Sequence, residues 1–134
     1  MYGAETWKVT KKISAKIQAF TNHCLHNILG VRWPNTISNE DLLAKTQEEK
    51  MTTQIRRKKW RWIGHTLRKP HNNVTKQAFF WNPQGKRNCG RLKNNWRRSA
   101  EQELRQIGPQ WTQTERQAPD RNQWRTTVDE LCSI

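Results

Sequence analysis

Residues 56–98 carry fourteen Lys and Arg and not one Asp or Glu. A run of this kind cannot neutralise its charges internally. Its elements must turn a charged face to water or to a polyanion, and only the apolar residues threaded through it are left to build a core. The flanks are close to balanced, with seven basic and five acidic residues before it and four and six after it. This one stretch therefore accounts for the net charge of +14. It also holds Trp60, Trp62, Trp81 and Trp96, four of the eight tryptophans. Aromatic rings interleaved with cations point to nucleic acid, because bases stack and phosphates pair.

A chain of 134 residues is one domain or a piece of a larger one. Its hydrophobic content, 33%, lies well below the roughly 45–50% of an ordinary globular chain. High charge with few apolar residues favours disorder, but eight tryptophans are costly to leave in water. The expectation is a set of helices that hold together weakly alone and firm up on a partner. No apolar run approaches the roughly 20 residues of a membrane span, and no charged-then-apolar leader opens the chain. Cys24, Cys89 and Cys132 show no paired spacing, which suits a reducing compartment, nuclear or cytoplasmic, and not a secreted protein. Residues 2–7 read as the end of a strand and a turn rather than the start of a domain, so the chain is expected to be a fragment.

Hydrophobic periodicity predicts a mainly α fold: about five helices, a long basic loop, and little or no sheet. Ile13, Ile17, Phe20, Cys24 and Ile28 form one apolar stripe, with Leu25 and Leu29 beside it and Gly30 placed to end the helix. Ser38 caps a short second helix, which fades by Gln47. A third is predicted over 51–69, with Met51, Ile55, Trp62, Ile63 and Leu67 in a broad apolar arc and Pro70 as its stop. Residues 74–81 fit a short strand or a helix, and 86–90 a basic loop. Trp96, Ala100, Leu104 and Ile107 mark a further helix closed by Gly108 and Pro109. Thr112-Gln113-Thr114-Glu115 reads as a capping box. Asp120 begins a last helix with Trp124, Val128 and Leu131 on one face. The chain divides into segments 1–34, 35–70 and 71–134.

The candidate nucleic-acid-binding residues are Arg57, Lys58, Arg61 and Arg68 on the third helix, then Lys86, Arg87, Arg91 and Lys93 in the loop, then Arg97 and Arg98. Arg57, Arg61 and Arg68 line up opposite the apolar arc, flanked by Lys58 and His65. Glycines at 85 and 90 permit close backbone approach to a phosphate. Trp60, at the edge of the apolar arc, is the candidate for base stacking. His23, Cys24 and His26 lack any paired-cysteine partner, so no metal and no cofactor is expected. Phosphoryl transfer needs carboxylates that can share metal ions. The acids here sit at helix starts or in exposed pairs, so no catalytic residue is named. The expected partners are RNA, DNA or both, with no membrane and no small-molecule substrate.

Several ordered motifs resemble the C-terminal part of non-LTR retrotransposon endonuclease–reverse transcriptases. They are Tyr2-Gly3-x-Glu5-x-Trp7; Phe20-x-x-x-Cys24-Leu25-x-x-Ile28-Leu29-Gly30-Val31-x-Trp33; Arg56-Arg57-x-x-Trp60-Arg61-Trp62-Ile63-Gly64-His65-x-Leu67-Arg68; Trp81-x-Pro83-x-Gly85-Lys86-Arg87-x-x-Gly90-Arg91, followed by Trp96-Arg97-Arg98; and Asp120-Arg121-x-x-Trp124-Arg125. The resemblance covers nearly the whole chain. It implies a fragment of a larger polymerase, with the trailing edge of the palm at residues 1–7, then thumb-like helices, then a downstream region that grips RNA template or target DNA. The parent would be an RNA-directed DNA polymerase with an endonuclease, in which a nick in target DNA primes copying of the element's RNA. The polymerase aspartates of such enzymes lie upstream of the matching residues, so this chain is expected to bind nucleic acid without catalysis. The sequence departs from the family pattern at Leu92, where proline is common, at Cys89, where a basic residue is common, and around 47–51, which is shorter than typical. Two other readings stand beside this one: an inactive structural or interaction remnant, and a DNA-binding protein adopted by its host.

Overall fold

The structure, a computed structural model, describes residues 2–81, 89–90 and 96–133. Among these it contains seven α-helices and no strand: α1 Lys11–Ile28, α2 Asn39–Thr46, α3 Met51–Leu67, α4 Val74–Phe80, α5 Trp96–Ile107, α6 Trp111–Gln117 and α7 Arg121–Cys132. The mainly α class agrees with the sequence, and the helices outnumber the five expected. The extra elements are short. Residues 74–80 resolve as helix because the Asn73 side chain caps Thr75 N–H at 3.0 Å while Phe79 is buried. The strand end expected at residues 2–7 is instead a single 3-10 turn, Ala4–Thr6, entered through Gly3 at φ +67°.

The chain forms two compact units, one of Lys8–Arg56 and one of Met1–Trp7 with Arg57–Ile134. The division falls inside α3.

In the Lys8–Arg56 unit, helix ends are well specified and the core is small. Thr10 caps α1 by accepting from Ile13 N–H. Gly30, at φ +67°, closes it in a Schellman motif, with Val31 N–H bonded to His26 carbonyl and Gly30 N–H to Asn27 carbonyl. Ser38 caps α2 through Asp41 N–H. Gln47 ends α2 in the left-handed region at φ 54°, a conformation that favours glycine. Between α1, α2 and the start of α3 lies an amide chain. Gln18 donates to Asn22, Asn22 donates to Asn39, and Met51 N–H donates to Gln18, each at 2.8 Å. Leu42 and Ile55 are the buried apolar side chains here. Most of the α1 stripe does not face a core: Ile13 is exposed, Phe20 is 70% exposed and Ile28 78%, with Ile17 and Cys24 half-buried. The helix instead buries the face carrying Asn22, roughly opposite the stripe at 100° per residue.

The other unit is built around aromatic rings. Trp60, Ile63, Leu67, Phe79, Ala100, Leu104, Trp124, Val128 and Leu131 are buried in one cluster. Trp62 and Phe79 both meet Trp96 edge-on, at 5.7 and 5.8 Å between centroids, and Trp111 stacks on Phe79 at 5.6 Å. Packing half-buried Trp111 against the core as the first residue of α6 overrides the capping box expected at Thr112. Thr114 lies inside the helix, its hydroxyl bonded back to Gln110 carbonyl. Helix α3 stops at Leu67, two residues short of the expected end, because buried Lys76 donates to the carbonyls of Leu67 at 2.8 Å and Lys69 at 3.0 Å. A cation at those carbonyls also suits the negative end of the helix dipole.

Candidate nucleic-acid interface

Helices α3 and α7 are brought together by one side chain. The Trp124 indole lies directly over Gly64, where any Cβ would run into the ring, and its N–H donates to Trp60 carbonyl at 3.1 Å. Asp120 fixes the start of α7 by accepting from the N–H groups of Asn122 and Gln123. Residues 121 and 125 precede and follow Trp124 by three and one positions, so docking the indole on Gly64 carries Arg121 and Arg125 toward the flank of α3 that bears Arg61, His65 and Arg68.

The result is a groove of about 630 Å³, walled by Arg61, His65 and Arg68 from α3 and by Arg121, Arg125 and Asp129 from α7, with Trp124 and Val128 beneath. Arg61, His65, Arg121 and Arg125 are exposed. Arg68 is half-buried and anchored, its Nη1 donating to Ala118 carbonyl at 2.9 Å. Burial, and after it the neighbouring Arg121 guanidinium, pushes Arg68 below the ordinary arginine value. Two like charges are thus held close, an arrangement that an anion between them relieves. Among the described residues no ion pair forms at Arg61, Arg121 or Arg125.

The residues named from sequence divide into three groups. Arg61 and Arg68 line the groove together with His65. Arg57 and Lys58 share α3 but do not line it, Arg57 being half-buried and Lys58 exposed. Arg97 and Arg98 lie on α5; Arg97 pairs with Glu101 at 3.3 Å, and its guanidinium sits 5.7 Å from the Phe80 ring. Lys86, Arg87, Arg91 and Lys93 fall outside the described residues.

The stacking role expected of Trp60 is overturned. Its ring is 0% exposed and its indole N–H donates to Glu103 at 2.8 Å, the same carboxylate that pairs with Lys59. At 100° per residue Trp60 falls between Leu67 and Gly64, within the packed face of α3, so it serves the core. Sequence reasoning did not name Arg121 and Arg125 as site residues; they lie in the segment with an acidic excess. The signal that could have found them is their spacing around a core tryptophan.

Among the described residues no three His, Cys, Asp or Glu side chains gather to hold a metal ion, and no helix is long and apolar enough to cross a membrane. No family model, curated protein or solved structure matches this chain.

Proposed function

We propose that the chain is a nucleic-acid-binding protein that grips phosphates through the α3–α7 face and performs no chemistry of its own, a reading consistent with its resemblance to the C-terminal region of non-LTR retrotransposon reverse transcriptases. The observation that carries it is the convergence of Arg61, Arg68, Arg121 and Arg125 on one groove, with Arg68 already oriented by Ala118. Guanidinium forks match phosphate oxygens in pairs and stay charged at any working pH. The acid-free run at 56–98 extends the same field along the chain and draws polyanions by long-range attraction. Binding is measured by fluorescence anisotropy with single-stranded RNA and duplex DNA across a salt series. Each phosphate contact on duplex contributes about −0.9 to the log–log salt slope, so the four groove arginines alone give about −3.6. A folded sample that binds neither nucleic acid at low salt would overturn this reading.

A second reading, an interaction remnant that docks on protein, is favoured by the exposed apolar stripe of α1 and by Trp33, which is 88% exposed. It predicts a loosely folded, aggregation-prone chain. Strong hydrogen-exchange protection of α1 in the isolated protein would count against it.

A further inference from the structure

We infer that the α3–α7 groove takes the sugar–phosphate backbone of a single nucleic-acid strand and reads no base. The inference rests on the nucleic-acid reading above and narrows it. Proteins that bind single strands commonly combine a basic track with aromatic platforms for the bases. Among the described residues this groove has the track and lacks the platform. Among the described residues that line it, the only ring other than His65 is Trp124, which is 3% exposed and has its N–H committed to Trp60 carbonyl. A side chain that closes the groove floor cannot also offer a face to a base.

The walls are suited to phosphate. Arg68 is fixed by Ala118 and stands beside Arg121, so a phosphate seated between them exchanges repulsion for two charge-assisted hydrogen-bonding partners. Arg61 and Arg125 are exposed and free to follow the strand from there. The volume, about 630 Å³, is that of a small-ligand pocket and suits one strand rather than a duplex lying within it. Among the described residues Asp129 is the one acid on the wall. Its carboxylate repels phosphate.

The test compares two fluorescent oligonucleotides of equal length and charge, one with ordinary bases and one fully abasic, on the wild-type protein and on Asp129→Asn. Backbone readout predicts affinities within about threefold of each other for the two strands, with similar salt slopes. It also predicts that Asp129→Asn tightens binding of both by about two- to fivefold, since a like charge leaves the track. A base-bearing strand that binds tenfold or more tighter than the abasic one would overturn the inference while leaving nucleic-acid binding intact. So would weaker binding by Asp129→Asn with the base-bearing strand alone, which would show Asp129 accepting from a base edge. Failure of both strands to bind at low salt would overturn the nucleic-acid reading itself.

Discussion

The two compact units solve the same problem, too little apolar sequence, in opposite ways. The unit of Arg57–Ile134 with Met1–Trp7 concentrates its rings: Trp60, Phe79 and Trp124 are all buried in one cluster with the aliphatic residues of α5 and α7. The Lys8–Arg56 unit buries Leu42 and Ile55, joins its helices through the Gln18–Asn22–Asn39 amide chain, and leaves Phe20, Ile28 and Trp33 in solvent. Amide hydrogen bonds contribute modestly because each replaces a bond to water, about 1 kcal/mol net. Large buried rings contribute more, and they also hold neighbouring side chains in place. The groove belongs to the ring-packed unit, and the same contact, Trp124 on Gly64, both closes the core and aligns the arginines.

That contrast can be broken most sharply at Trp124. Trp124→Ala removes a buried ring and the bond to Trp60 carbonyl, and should destabilise its unit by about 3–5 kcal/mol. Urea unfolding followed by far-UV circular dichroism gives the value. The matched change in the other unit, Phe20→Ala, should cost less than about 0.5 kcal/mol because that ring is already in water; a cost comparable to Trp124→Ala would mean the exposed stripe is a buried surface in solution. Next in size is Gly64→Ala, which drives a methyl group into the indole and should cost about 1–3 kcal/mol. It should also weaken nucleic-acid binding in step with the displacement of α7, and unchanged stability and binding would refute the close approach. Lys76→Met leaves the Leu67 and Lys69 carbonyls without their donor, for an expected loss of about 1–3 kcal/mol and earlier hydrogen exchange at the end of α3. The last effect has the opposite sign. Gln47→Gly relieves a left-handed residue at the end of α2 and should stabilise the Lys8–Arg56 unit by about 0.5–1 kcal/mol, read as a rise in its unfolding midpoint.

Much of the local structure was legible because it is written in short-range chemistry. Ser38, Gly30 and Asp120 terminate helices where the sequence places them, since a cap needs only its own few neighbours. The last helix was legible as a face, with Trp124, Val128 and Leu131 all buried. The α1 stripe misled because periodicity reports an apolar face and not what covers it. In this helix the buried face is held by Asn22, whose partner Asn39 lies seventeen residues away. Trp60 misled for a related reason. A ring near the margin of an arc is core or surface according to what the partner helix brings, and here α5 brings Glu103 to its N–H. Half of the groove was legible in the alignment of Arg61 and Arg68. The other half, Arg121 and Arg125, depends on a tertiary contact between α7 and Gly64 that no charge count along the chain reveals.

The most direct test removes two charges from each unit in turn. Arg121→Gln with Arg125→Gln empties one wall of the groove, while Lys11→Gln with Lys12→Gln takes the same charge from α1. Affinity for a single-stranded RNA is then measured by anisotropy across a salt series. Loss of two phosphate contacts predicts about tenfold or greater weakening for the groove pair, with a salt slope shallower by about 1.4 on a single strand. The α1 pair should change affinity by less than about threefold, as expected of long-range field alone. Equal losses from the two pairs would contradict the account, showing that net charge binds the nucleic acid and the groove does not.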